Sequence, residues 1–214
     1  MSTLDLYSAQ GYNAPVDGIV LRTAIETWAV IVSAATGTST NSTANFMAVT
    51  NTLSGSTYTC LRPAWCFNTA TIDPLAVITA VSLFLKVRQK TFGMAGWTFN
   101  VVSSILASPS SLQSNDYNDF GITSFSSVLY VNLPAVGVYH EFSLNADGQN
   151  WINRSGYTAY GIRTNLDLDV IAPTVTNTMN FHSADATSST DRPYLRIIYD
   201  LPGSAESGQY QIII

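Results

Sequence analysis

Charge is what this 214-residue chain has least of: Asp, Glu, Lys and Arg make up 11% of it, against 46% hydrophobic residues. That is about half the charged share of an ordinary soluble domain. Ser, Thr and Asn carry the polar remainder. A surface this poor in charge repels its neighbours weakly, which suits a protein packed against other copies or another shell. Cations are the scarcer sign, 9 Lys and Arg against 14 Asp and Glu, for a net charge of −5 and a pI near 4.7. Their one grouping, Lys86, Arg88 and Lys90, recurs every second residue and so shares one face of a strand. We read that face as solvated rather than as a phosphate or anionic-glycan contact. Nothing here makes the electrostatic footprint that nucleic acid needs, so no nucleic-acid partner is expected.

Cysteine and histidine are nearly absent, which removes most catalytic and metal chemistry. Cys60 and Cys66 lie six positions apart in a stretch that reads as extended, about 20 Å end to end, whereas a disulfide spans about 4.4–6.8 Å. Their spacing is not that of a zinc site, and His140 and His182 are far off in sequence. Two reduced, packed cysteines made in a cytosol are therefore expected, with no cofactor. Neither G-x-S-x-G nor a His-Cys signature occurs. By parity His140 points inward on a strand, as a hydrogen-bonded structural histidine, and His182 sits in a loop. Glutamate occurs only as Glu26, Glu141 and Glu206, and a glycosidase pair such as Glu141 with Asp169 has no pattern behind it. Asp167 and Asp169, on the outward face of one strand, could gather Ca²⁺ ligands with Asp147 or Asp185, but without EF-hand-type spacing they are weak candidates. No catalytic residue is assigned and no enzyme is expected; a polysaccharide lyase or hydrolase would rest on analogy alone.

Long apolar runs are also missing: none approaches the ~20 residues of a membrane span. The opening MSTLDLYSAQGYNAPVDG has neither a basic start nor an apolar core. We therefore expect no membrane partner and no signal peptide, with synthesis in a host cytoplasm.

What the chain does have is alternation. In VITAVSLFLKV, Val77, Val81, Leu83, Leu85 and Val87 fall on one face while Lys86 and Arg88 face away, which is a half-buried strand. WTFNVVSSI puts Trp97, Phe99, Val101 and Ile105 together, and VYHEFSL does so with Val138, His140, Phe142 and Leu144. YTAYGIRTNLDLDV alternates Tyr160, Ile162, Leu166 and Leu168 inward with Arg163, Asn165, Asp167 and Asp169 outward; YLRIIY closes the set with Leu195, Ile197 and Tyr199. LRTAIETWAVIV carries Leu21, Ala24, Ile25, Trp28 and Val32 at helical spacing, but its end is β-branched and Gly18 and Gly37 flank it, so we read it as strand.

Asp17-Gly18 reads as the first turn. ATGTSTNSTAN, ASPSSLQSND and HSADATSSTDRP read as turn-rich connections with no helix of any length. One helical turn is expected at LNADGQNWINRSG, capped by Asn145, covering a sandwich edge with Trp151 and Ile152, and stopped at Gly156. The fold class that follows is all-β: a two-sheet antiparallel β-sandwich, jelly-roll-like, with at most one or two short helical turns. Residues 1–16 would be an N-terminal arm, 17–202 the sandwich, and 203–214 a tail strand. That tail ends in Tyr210, Ile212, Ile213 and Ile214. A blunt apolar strand must pair, either with its own sandwich or with a neighbouring subunit, where these four residues would be the assembly contacts.

From residue 17 onward the chain resembles the disaggregatase-related β-sandwich family (DNRLRE-like domains) of phage and bacterial surface proteins. Four segments carry the resemblance: DGIVLRTAIETWAVIVSAATG, RPAWCFNTATIDPLAVITAVSLFL, VYHEFSLNADGQNWINRSGYTAYGIRTNLDLD and FHSADATSSTDRPYLRIIYDLP. Asn68, where the family usually has Asp, and Pro63 inside a strand depart from its pattern; such a proline forces an edge or a bulge. The resemblance implies a jelly-roll-like sandwich akin to carbohydrate-binding modules, without catalytic residues. Arg62, Arg163 and Arg192 stand at family-like positions, and we expect them to pin the sandwich ends through planar hydrogen bonds.

Two functions are thereby expected. The first is a bacteriophage virion structural protein, a head-decoration, fibre or tail-surface subunit at the virion surface, packing on other virion proteins or its own copies. The second is a carbohydrate-binding module for adhesion, whose glycan or partner contacts would be Tyr117, Tyr130, Tyr139 and Tyr157.

Overall fold

The computed structural model describes residues 1–8 and 16–201, with Phe92 described by its backbone alone. In chain order the elements are β1 (Ser2–Tyr7), β2 (Asp17–Ala24), α1 (Trp28–Ser33), β3 (Ser39–Asn41), β4 (Phe46–Ser54), β5 (Thr57–Asn68), β6 (Val77–Phe92) and β7 (Thr98–Ser104). They continue with β8 (Ser126–Leu129), β9 (Tyr139–Ser143), α2 (Ala146–Asn150), β10 (Tyr157–Thr164), α3 (Asn165–Leu168), β11 (Asn177–His182) and β12 (Tyr194–Asp200). Every strand pairing among the described residues is antiparallel, and with α-helices only four to six residues long the fold is all-β. The strands run in the order β1-β12-β6-β11-β4-β5-β10-β7-β8, with β2 and β3 off β5 and β9 off β6, in a sheet curled as a half-barrel.

Two long strands make the curl by changing partners along their length. β6 pairs with β12 through its first half and with β11 from Val87 onward. β5 pairs with β4 up to Leu61 and with β10 from Ala64, while β2 runs alongside from Tyr58 to Trp65. Pro63 falls in the gap between β4 and β10, where its missing N–H costs no ladder bond. The β4–β5 hairpin turns on Gly55 and Ser56, and Gly55 has φ 60°, which a glycine first in a two-residue turn supplies without strain.

Alternation is realised most cleanly in β6, where Val81, Leu83, Leu85 and Val87 are all buried. They join Trp65, Phe67, Phe99, Val101, Phe142, Tyr160, Ile162, Phe181, Leu195 and Ile197 in the main core. Phe181 lies at its middle, edge-on to Trp65, Phe99 and Phe142. The opposite face of β5, β7 and β10 is also covered: Val20, Cys60, Ala64 and Val102 form a second core with Trp28, Ile31, Leu112, Tyr117 and Phe120.

Several expectations need correcting. Residues 2–7, expected in an arm, form a strand along β12, where Asp5 opposite Arg196 accepts a two-pronged hydrogen bond at 2.8 and 2.8 Å. Asp17 and Gly18 open β2 rather than a turn. The strand reading of LRTAIETWAVIV holds only to Ala24; Trp28, Ile31 and Val32 then bury one face of α1 against the sheet, because the helical spacing suits a cover better than another strand. The strand from Tyr157 likewise ends at Thr164, whose hydroxyl caps α3 by accepting from the Asp167 N–H. Helical turns outnumber the one or two expected, and short 3₁₀ turns at Ser114–Asn118 and Ser189–Asp191 interrupt two of the connections. Val77, Ile105 and Val138 are 60%, 62% and 49% exposed, because each lies at or beyond the end of a strand. α2 starts where expected: the Asn145 side chain accepts from the Gly148 N–H, and Ile152 packs into the core. It ends at Asn150, before Gly156.

Candidate functional site

On the second face of β5, Arg62 lies between Cys60 and Ala64, almost fully buried. Its Nε and Nη2 donate to Asp167 at 2.8 and 2.6 Å, Nη1 donates to the Tyr117 carbonyl and Nη2 also to that of Val32. Arg163, on the same face of β10, forks onto the same carboxylate at 2.9 and 2.7 Å. Burial alone would raise the Asp167 pKa; the Arg62 charge and the two guanidinium forks hold it below the usual carboxylate range. The Tyr117 ring stacks on the Arg62 guanidinium at 4.0 Å and its hydroxyl donates to the Ile31 carbonyl. Trp28 Nε1 donates to the Leu166 carbonyl, tying α1 to α3. This knot fastens both short helices and the connection before Gly121 to the sheet.

The structure corrects several site expectations, the first two at the knot. Asp167 faces inward with both oxygens taken up by arginines, because the turn of α3 breaks the strand parity. It therefore offers Ca²⁺ nothing; Asp169 caps the end of the same turn, and among the described residues no three His, Cys, Asp or Glu side chains gather. Tyr117 is fully buried, so it is no glycan contact. His140 is half-buried rather than buried, edge-on to Phe142 at 4.5 Å, with burial lowering its pKa. His182 is the last residue of β11, not a loop residue. The Lys86, Arg88 and Lys90 face is only partly solvated: these cations lie over Tyr139, Phe46 and Tyr130, and Lys86 pairs with Asp191 at 2.6 Å.

The remaining tyrosines separate by environment. Tyr130 lies against Trp97 and Phe99 under Lys90. Tyr139 donates to the carbonyls of Thr190 and Arg192, fastening the loop that carries Arg192. Arg192 Nε is buried with no partner among the described residues. Tyr157 alone is exposed, at 37%. Tyr210, Ile212, Ile213 and Ile214 lie outside the described residues.

Tyr157 borders a cleft of about 570 Å³ where the cover over this face of the sheet stops. Its floor is Cys66, Ala159 and Ser104, which stand opposite one another across β5, β10 and β7. Trp151, Asn153, Gly156 and Thr158 line it with Tyr157, and Ile105, Leu106 and Pro109 complete it. The Trp151 indole N–H donates to the Ala159 carbonyl, fixing the ring. A hydrogen bond from the Ala107 N–H to buried Asp116 holds the neighbouring connection, and Asp116 accepts from Gln113 as well. Ser104 Oγ is buried and has no partner among the described residues. Asn153 Oδ1 accepts from Ser155, while its Nδ2 makes no hydrogen bond among them.

No carboxylate, imidazole or cation lines this cleft among the described residues. Burial pushes the Cys66 thiol up to about 12, so it stays protonated and is a packing group, not a nucleophile. Cys60 is likewise buried, free and pushed up to about 12. The arrangement can hold an uncharged, partly apolar group and orient it with a hydroxyl and an amide; its described residues include no acid–base pair. Sequence reasoning selected Tyr157 but missed Trp151 and Ser104 as its neighbours, since pairing across three strands is invisible in the linear chain. No family model matches this chain, and no curated protein matches it.

Proposed function

We propose that this protein is a non-enzymatic surface subunit of a bacteriophage particle, acting by protein–protein packing on other virion proteins or on copies of itself. The observation that carries the proposal is an apolar depression beside the arginine knot. Ile25 and Val170, 75% and 49% exposed, border it with Trp28 and Tyr58, and Ile171, 49% exposed, follows in the chain. Large aliphatic groups left in water on a rigid base gain about 25 cal/mol per Å² when a partner covers them. A weakly charged surface opposes such contact little. A jelly-roll-like closure into two layers is part of the same reading, supported by the apolar filling that β6, β9 and β12 share with β5, β7 and β10.

Mass spectrometry of purified particles tests this directly: the chain should be present in intact virions, and Ile25→Asp with Ile171→Asp should remove it from them. Its absence from intact virions ends the proposal. Carbohydrate adhesion is a second reading, favoured by the uncharged cleft that Trp151 and Tyr157 line.

A further inference from the structure

We propose that the cleft over Cys66, Ala159 and Ser104 is a subsite for one neutral pyranose ring, stacked against Tyr157 and hydrogen-bonded by Ser104 and Asn153. The inference rests on the adhesion reading and names its ligand class.

Three observations converge on that class. First, the described lining residues are all uncharged, so a phosphate, carboxylate or amine would leave water for a lining with no counter-charge among them. Second, the aromatic groups are a half-buried indole and an exposed phenol. A sugar ring has apolar C–H faces and a polar rim of hydroxyls; an aromatic surface covers the faces, and hydroxyl or amide groups must meet the rim. Third, those polar groups are present and free. Ser104 Oγ, on a residue only 3% exposed, lacks a partner among the described residues, and Asn153 Nδ2 makes no internal bond among them. A buried hydroxyl with nothing to bond is a cost to the folded chain that a ligand hydroxyl, donor and acceptor at once, removes.

The site is also built to keep its shape. Its floor is three paired strands, Trp151 is fixed by its bond to Ala159, and Thr158 Oγ1 contacts Thr69 Oγ1 at 2.8 Å while accepting from the Asn153 N–H. Little ordering is left for binding to impose, so contact converts efficiently into affinity. An uncharged lining further implies binding that salt does not weaken.

Affinity electrophoresis of the full chain through gels containing dextran, xyloglucan, glucomannan or xylan, with polygalacturonate as anionic control, tests the assignment. At least one neutral polymer should retard the protein, equally at low and high salt. Tyr157→Ala should weaken the retardation about tenfold. Ser104→Ala, which breaks no hydrogen bond among the described residues, should weaken it severalfold without lowering the melting temperature. Retardation that both variants keep in full overturns the cleft assignment and leaves adhesion standing. Retardation by polygalacturonate alone overturns the neutral ligand class. No retardation by any polymer overturns this inference and the adhesion reading together, while the particle-subunit reading stands on its own test.

Discussion

Arg62 and Asp167, 105 residues apart in the chain, meet through two parallel hydrogen bonds of 2.8 and 2.6 Å inside the protein, with side chains 2% and 1% exposed. Arg163 shares the same carboxylate, so two buried cations depend on one anion.

Removing that anion is therefore expected to hurt more than removing one cation. Asp167→Asn leaves two guanidiniums without a counter-charge and should cost about 3–5 kcal/mol. Arg163→Met leaves the Arg62–Asp167 pair intact and should cost clearly less. Urea unfolding of both variants measures the difference, and equal losses contradict the shared-carboxylate account.

Two aspartates give opposite pH dependences. Burial pushes Asp17 up to about 7, against the ordinary 3.8, although the Ala184 N–H donates to it at 2.6 Å. The folded state thus holds a proton that the unfolded state has lost between those values. Its contribution is complete below pH 3.8 and disappears as pH rises through about 7, at up to about 1.4 kcal/mol per pH unit. The Asp167 pKa is lowered, so its contribution is present above the ordinary carboxylate range and disappears as pH falls below it. Asp17→Asn should flatten the fall in stability from pH 5 to 8, measured by denaturant midpoints, without changing the acid limb.

Gly161 should tolerate no side chain. A Cβ there would run into the ring of Phe120 and approach the Pro63 carbonyl at 3.2 Å, and its φ is not in the left-handed region, so the effect is purely steric. Gly161→Ala is expected to cost about 1–3 kcal/mol. Phe120→Leu in the same chain should recover part of it in thermal unfolding.

Both cysteines should resist alkylation in the native protein. Cys60 and Cys66 are buried, with thiols pushed up to about 12. Iodoacetamide at pH 8 should label neither until denaturant is added, when both react. Rapid native labelling of Cys66 would show its side of the cleft floor open to solvent.

Much of the knot was legible in pieces. Arg62 and Arg163 were expected to make planar hydrogen bonds, and Thr164 three residues before Asp167 is a helix-capping spacing. Strict alternation obscured it, because Asn165 to Asp169 fit a strand as well as a turn. In the same way Trp28, Ile31 and Val32 carried helical spacing that β-branched neighbours masked. Local preference was nearly balanced in both places, and the need to cover the second face of the sheet tipped it.

The sequence by itself determined the all-β character, the inward faces of β6, β7, β10 and β12, and the cap of α2, because these follow from the period of side chains along one strand or the chemistry of one turn. Only the tertiary structure decided that β5 and β6 change partners midway, that one carboxylate serves two arginines, and that Tyr157, Trp151 and Ser104 border a single cleft. Those facts depend on which strands lie side by side, and that is settled by the joint burial and pairing of residues that can lie 191 positions apart, as Asp5 and Arg196 do.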